Sequence, residues 1–362
     1  MPGPATIPDP SRAAAPLAFE YNCAGETARR SRVKIAVLFG GDSMERDVSV
    51  ASAAQVVAAL RSRGHEVLAV DAHQGVLAPA EERKALSERI RPAPPERMVS
   101  TRLPVAFEHP ALRDIDLVFL ALHGSPGEDG TIQSLLDLAA LPYTGSGRLG
   151  SAVAWDKDIA KRLFMAAGVP TPEWLMVPAT AEQVAEQLGF PVIVKPVGQG
   201  STVGLTLVNS ATELDAAIAV AAQFDASVMI ERFIDGRELT VGVLDGVALA
   251  VGEIVPAAGP IFDYAAKYQA GAAEEIFPAD LPAATTARVQ ELGLEVHRAL
   301  KLDDYSRVDF RMDRDGGIWC LEVNTLPGLS SGSLLPRSAA ATGIEFAELC
   351  ERICRAALSR RG

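Results

Sequence analysis

The chain has 362 residues, enough for two or three domains, and 48% of them are hydrophobic, so a sizeable core can be buried. A formal net charge of -12, with no basic stripe interleaved with aromatics, argues against a nucleic-acid partner. The longest apolar run, Leu117 to Leu122, is far too short to span a bilayer, the N-terminus lacks the apolar stretch of a signal peptide, and the four cysteines (Cys23, Cys320, Cys350, Cys354) show no metal or disulfide framework. A cytoplasmic protein without membrane contact is expected.

Residues 1–31 are rich in Ala and Pro with no amphipathic period and read as a disordered leader. From Lys34 the pattern is strand, Gly-Gly turn, long helix, Gly64 stop and strand, which is a βαβ unit ending at Asp71. A polar segment from His73 to Pro110 holds one expected helix, EERKALSERI, before the strand DLVFLALHG and the helix GTIQSLLDLAAL. The chain then turns through TGSGRLG, and a helix is expected from Asp156 to Ala167. The next elements alternate: strand Val192 to Pro196, Gly-rich turn GQGSTVG, strand Leu205 to Val208, helix ATELDAAIAVAAQ and strand SVMIERF. Beyond Asp235, ELTVGVLDGVALAVGEIVP alternates about a central Asp245-Gly246 and predicts an antiparallel hairpin. Helices follow Pro336. The Cys350 and Cys354 pair, spaced i, i+4, reads as helix packing.

The segment Arg307 to Asn324, RVDFRMDRDGGIWCLEVN, predicts a second hairpin whose loop is Arg314 to Gly317. That loop sets Asp309 opposite Glu322. Strand side chains alternate faces, so Arg307, Asp309, Glu322 and Asn324 share one face. Two carboxylates and an amide oxygen suit a hard divalent cation engaged in phosphate chemistry, and a neighbouring arginine would face a reacting oxyanion. The run TLPGLSSGSLLP that follows offers backbone N–H groups and hydroxyls to an anion.

No P-loop pattern is present, and the GxGxxG string Gly145 to Gly150 follows Leu-Pro-Tyr-Thr instead of a buried strand opening a βαβ unit, which disfavours a dinucleotide fold. Lys195, at the end of an apolar strand and before GQGSTVG, can set an ammonium beside phosphates cradled by loop amides. With Lys157 and Glu231 it suggests ATP between two sheets, lysines on phosphate and Glu238 on ribose.

From about Lys34 to the C-terminus the sequence resembles the D-alanine--D-alanine ligases of the ATP-grasp superfamily. The resemblance rests on GGDSMERDVS, LALHGSPGEDGT, LPYTGSGRLGSA, WDK, PVIVKP with GQGSTVG, IERFIDGRELTV, DYAAKY, SRVDFRMD and LEVNTLPGLSSGSLLP, in that order. It implies an α/β (α+β) ATP-grasp fold of three domains: a Rossmann-like N-terminal domain over 32–147, a central subdomain over 148–232, and a C-terminal subdomain over 233–362 with a mobile loop over 262–277. It implies ATP as substrate and Mg2+ or Mn2+, two ions, with Asp309, Glu322 and Asn324 as ligands. Lys157, Lys195 and Lys267 then resemble the phosphate ligands, and Glu231, Phe233, Ile234 and Glu238 the adenosine contacts. Glu45, with His123 nearby, resembles the carboxylate that takes the first D-alanine's ammonium. Ser201 and Tyr268 resemble its hydrogen-bonding partners. Arg307 and the Gly328 amide resemble the oxyanion stabilisers, and Ser333 with Leu334 the site of the second alanine's carboxylate.

The implied reaction is phosphorylation of a D-alanine carboxylate by ATP and attack of a second amine on the acyl phosphate, giving D-alanyl-D-alanine for peptidoglycan. Relatives are commonly homodimers. Gln199, Thr202 and Gly332 depart from familiar members at positions outside the core chemistry. Three alternatives stay open: a D-alanine--D-serine ligase, a D-alanine--D-lactate ligase, and a homologue that binds nucleotide without turnover. Retention of Lys267 and Tyr268, where ester-forming relatives carry a histidine-bearing loop, favours a D-alanine acceptor. Taken singly, Glu45 is equally a helix-start acid, His123 a core histidine and Tyr268 a packing aromatic.

Overall fold

The computed structural model describes residues 32–87, 90–91, 109–257 and 273–360. The leader, most of the segment between α2 and β4, and the Lys267 and Tyr268 positions lie outside the described residues. In chain order the first elements are β1 (Lys34–Phe39), α1 (Arg46–Ser62), β2 (Glu66–Asp71), β3 (Gly75–Val76), α2 (Pro79–Ala85) and β4 (Leu117–Leu120). Strands β1, β2 and β4 are parallel and buried, with β3 an antiparallel edge, in the order β3-β2-β1-β4. The βαβ unit is as expected. The turn out of β1 needs Gly40, whose φ is +85° and whose added β-carbon would lie 2.4 Å from Arg46 Nη1. Helix α2 begins two residues before its expected start, because Pro79 is set for a first helical turn.

Helices α3 (Thr131–Leu138), α4 (Arg148–Trp155) and α5 (Lys157–Ala166) follow. The GxGxxG string is a turn into α4, with Gly147 at its cap. A single helix was expected from Asp156. The structure adds α4 before it, and Asp156 breaks the two by accepting from Ile159 N at 3.0 Å as the cap of α5.

The second sheet is antiparallel, ordered β5-β8-β6-β7. It consists of β5 (Trp174–Met176), β6 (Val192–Pro196), β7 (Thr206–Val208) and β8 (Val228–Arg232), with α6 (Ala181–Gln187) and α7 (Leu214–Ala221) interspersed. The third sheet, β11-β10-β9-β12-β13, is also antiparallel. Its strands are β9 (Gly236–Leu244), β10 (Val247–Pro256), β11 (Ala273–Ile276), β12 (Tyr305–Asp313) and β13 (Ile318–Asn324), with α8 (Ala283–Ala299) packed on it. The Asp245-Gly246 hairpin forms as expected, with Leu244 opposite Val247.

Helices α9 (Leu334–Ala340) and α10 (Phe346–Ser359) end the described chain. Leu349, Cys350, Ile353 and Cys354 of α10 are buried in the core of the first sheet, beside Ile35, Val57 and Leu117. Both cysteines are free thiols in packing positions, as their spacing suggests. Among the described residues no helix is long and apolar enough to cross a membrane.

Candidate active site

A cleft of about 390 Å³ is lined by residues of the second and third sheets and by α1 and the connections leaving the strands of the first, and every described residue expected to bind substrate, nucleotide or metal lines it. At one end stands Glu45, the residue capping α1. Its carboxylate accepts a hydrogen bond from Ser201 Oγ, which joins the turn after β1 to the Gly-rich turn after β6. Ser201 and its neighbour Thr202 adopt φ of +50° and +61°, a region costly for side chains with a Cβ. The reach to Glu45 comes with that conformation.

His123 closes the same end and is buried. Its Nδ1 lies 2.8 Å from the Leu326 carbonyl, which can only accept, so Nδ1 carries the proton. Its Nε2 then accepts from Ser52 Oγ at 3.1 Å, and Ser52 Oγ in turn accepts from Leu329 N at 3.1 Å. Burial pushes the imidazole below its ordinary pKa despite the nearby Glu45 carboxylate, which keeps it neutral. Through this chain α1 holds the Thr325 to Ser333 loop in place. In that loop Ser333 Oγ lies 2.8 Å from Ser330 Oγ, and a β-carbon on Gly328 would come within 2.9 Å of Ser333 Oγ.

The β12–β13 hairpin pairs Arg307 with Asn324 and Asp309 with Glu322. A bulge follows, because Phe310 pairs with Cys320 and Leu321 is the extra residue. Leu321 thereby lines the cleft together with Glu322 and Asn324. Asp309 accepts from Arg307 Nε at 2.9 Å, Arg307 Nη2 at 2.7 Å, Thr240 Oγ1 at 2.7 Å and Asn324 Nδ2 at 2.9 Å. Glu322 Oε2 lies 3.4 Å from Lys157 Nζ.

Among the described residues no group of three or more His, Cys, Asp or Glu is arranged to hold a metal. The hairpin offers two carboxylates and an amide, a hard but incomplete oxygen set. Magnesium suits such a set, since it keeps waters and takes substrate phosphates to complete its shell. The residues present fit that ion.

Lys157 opens α5 and donates to Gln199 O at 2.6 Å and Val197 O at 3.3 Å, clasping the Gly-rich turn. Lys195 is the penultimate residue of β6 and donates to Glu231 Oε2 at 2.7 Å. Lys161, one helical turn beyond Lys157 and missed in the sequence, donates to Glu231 Oε1 at 2.5 Å and Thr171 Oγ1 at 2.7 Å. Burial opposes the charge on Glu231, but the two ammonium groups more than offset it and hold the carboxyl below its ordinary value. The Glu231 side chain is thus the counter-ion of a buried lysine pair. Phe233 and Ile234, in the connection between β8 and β9, and Glu238 on β9 line the far end of the cleft.

Two of the charged residues that line the cleft without having been singled out in the sequence bear on its electrostatics. Glu128 is buried and accepts from Gly124 N at 3.1 Å, and burial, reinforced by Glu45, pushes its carboxyl up to about 8. The second is Arg311, on the same strand face as Arg307 and Asp309. Alternation along β12 is the signal that could have found it.

Comparison with known proteins bears on this constellation. The family model described as the D-ala D-ala ligase N-terminus matches residues 34–146, and that of the C-terminus matches 163–355. The chain belongs to the D-alanine--D-alanine ligase family. A D-alanine--D-alanine ligase of Synechococcus sp. (strain JA-3-3Ab) is 39% identical over 332 residues, 91% of this chain and 94% of that protein. One from Geobacter sulfurreducens is 42% identical over 323 residues, 88% and 92% of the two chains. Among solved structures, the D-alanine--D-alanine ligase of Bacillus anthracis complexed with ATP has a TM-score of 0.73 and 32% identity, covering 91% of this chain and 98% of its own. The VanG D-Ala:D-Ser ligase of Enterococcus faecalis has a TM-score of 0.74 and 31% identity, covering 90% and 99%. These similarities bear out the ATP-grasp ligase fold expected from the motifs.

Proposed function

We propose that this enzyme joins two D-alanine molecules into D-alanyl-D-alanine, converting ATP to ADP and phosphate, for cell-wall peptidoglycan. The observation that carries the reading is the meeting of the Glu45–Ser201 pair and the Arg307, Asp309, Glu322 and Asn324 group in one cleft. Glu45 takes the ammonium of the first D-alanine and so turns its carboxylate toward the hairpin. Lys157 and Lys195 bind the ATP phosphates, with Lys267 reaching the phosphoryl group in transfer. Phe233, Ile234 and Glu238 receive the nucleoside, while Glu231 fixes Lys195 together with Lys161.

A bare carboxylate is a poor electrophile. In the first step a carboxylate oxygen of D-alanine bonds to the γ-phosphorus and the bond to the ADP oxygen breaks. In the second, the amine of the other D-alanine attacks the acyl carbon, loses a proton and expels phosphate. Arg307 and the Gly328 amide stabilise charge that develops on the oxygens, and Ser333 and Leu334 hold the second substrate's carboxylate. A magnesium or manganese ion held by Asp309, Glu322 and Asn324 would neutralise phosphate charge during transfer. The acyl phosphate needs protection from water, a role that the sequence resemblance gives to Lys267 and Tyr268. The three sheets correspond in this reading to N-terminal, central and C-terminal domains, and the enzyme works in the cytoplasm.

The test is ADP release with magnesium and ATP, supplying D-alanine alone, L-alanine alone, and D-alanine paired with D-serine or D-lactate, with products identified by mass. D-alanine-dependent release with dialanine as the main product is expected. Predominant D-alanyl-D-serine or the D-lactate ester would reassign the acceptor. Nucleotide binding without release under any condition would make the protein a non-catalytic homologue.

A further inference from the structure

Arg311 lies two residues beyond Asp309 on β12 and points into the nucleoside end of the cleft, with a relative exposure of 7%. Its Nε donates to Ile234 O at 3.1 Å and its Nη1 to Glu238 Oε2 at 3.3 Å. Its guanidinium carbon sits 5.3 Å from the centroid of the Phe233 ring. One side chain thus touches all three of the groups assigned above to the nucleoside apart from Glu231. Phe233 and Ile234 also belong to the short connection between β8 and β9, the covalent link from the second sheet to the third.

The physical consequences follow from the chemistry of the two charges. A buried guanidinium needs a counter-charge and acceptors for its donors, and Glu238 and the Ile234 carbonyl supply them. In return, a glutamate that would otherwise lose side-chain freedom on meeting its ligand is already ordered. A carboxylate oxygen has more than one acceptor position, so Glu238 can hold Arg311 and still accept from a sugar hydroxyl. Arginine does this better than lysine, because its planar fork fixes direction as well as charge and its face stacks on an aromatic ring.

We propose that Arg311 is a positioning residue for the nucleoside: it holds Glu238 ready for the ribose hydroxyls and fastens the Phe233–Ile234 connection to the third sheet. The inference rests on the assignment of Glu238 to the ribose. The ligand class it selects is a ribonucleoside triphosphate over its deoxy counterparts.

The test compares kcat and KM for ATP, 2′-deoxy-ATP and 3′-deoxy-ATP at saturating D-alanine and magnesium, in the parent enzyme and in Arg311→Met, Arg311→Lys, Glu238→Gln and the Arg311→Met/Glu238→Gln double variant. The parent should favour ATP over at least one deoxynucleotide by about tenfold in kcat/KM, the effect of a hydrogen bond to a charged group. Arg311→Met should lose about tenfold in kcat/KM for ATP, mainly through KM, and its preference for ATP should shrink below threefold. Its KM for D-alanine should stay within twofold. Arg311→Lys should fall between, and the double variant should be no worse than the worse single change. A variant that weakens all three nucleotides equally while keeping the parental preference overturns the inference and leaves Arg311 a structural residue. If Arg311→Met does not fold, the preference of Arg311→Lys decides in the same way. A parent with no preference would instead remove Glu238 from the ribose, and the inference with it, a failure visible before any variant is made.

Discussion

Gly200 is where the Gly-rich turn passes closest to the Glu45 carboxylate. Its φ lies outside the left-handed region, so alanine fits the backbone there. A β-carbon would sit 2.7 Å from Glu45 Oε2, 3.1 Å from Oε1 and 3.2 Å from Cδ, where ordinary contact begins at 3.4 Å. The carboxylate must therefore retreat by about 0.7 Å, within the reach of a flexible side chain, and its bond with Ser201 must stretch or swing. A misplacement near 1 Å can cost about a hundredfold. For a shorter shift of a side chain that can rotate, Gly200→Ala should raise the apparent KM for the first D-alanine about tenfold, equivalent to about 1.4 kcal/mol. Stability should not fall, because alanine restricts the unfolded chain and gives back about 0.4–1 kcal/mol. The assay is initial phosphate release across D-alanine concentrations at saturating ATP, together with KM for ATP and a thermal melt. If KM for D-alanine stays within twofold of the parent, or if KM for ATP rises as much, Glu45 is not the group that binds the amino acid.

Three other outcomes are expected. Asp309→Asn and Glu322→Gln should each lower kcat at least about a hundredfold while the melting temperature falls by only a few degrees; near-parental turnover at saturating magnesium would remove the hairpin from the metal site. Lys161→Met leaves buried Glu231 with one partner, and should destabilise the protein by about 3 kcal/mol in urea titration; a loss below about 1 kcal/mol would show that the pair contributes little. Glu128 has a folded pKa near 8, raised from 4.5 by burial and Glu45, so its contribution to stability is present below pH 4.5 and is lost progressively as pH rises toward 8. In ligand-free protein, Glu128→Gln should flatten that decline and be the more stable form at pH 8, by about 4 kcal/mol in order of magnitude; parallel pH–stability curves for the two proteins would show that Glu128 is ionised in the fold.

Much of the site was legible because its chemistry is carried by local periods. The Arg307–Asn324 hairpin was readable from its Asp-Gly-Gly turn. Its loop closes one residue tighter than expected, with Asp313 N donating to Gly317 O and Met312 opposite Ile318, and Asp309 faces Glu322 as expected only because the bulge at Leu321 shifts the register back. The βαβ unit was equally readable, from an apolar run, a Gly-Gly turn and a helix stopped at Gly64. The same rule of alternation fails at Leu321, because a bulge inserts a residue for which the sequence carries no local signal. The start of α4 was missed for a related reason: Gly147 and Gly150 read as turn residues, yet Gly150 is buried within a helix against Leu300 and Lys301 carbonyls.

What the amino-acid order determined, then, is the set of elements, the faces of the strands and the identity of most chemical groups in the cleft, since these depend on neighbours within a few residues. Partnership across long separations was decided by folding. Lys161 reads as one more charge on a helix until Glu231, seventy positions on, meets it in a fully buried pair. Helix α10, at the far end of the chain, completes the core of the first sheet. Both depend on which buried surfaces exclude water together, and a one-dimensional pattern records that a residue is apolar or charged without recording what will cover it.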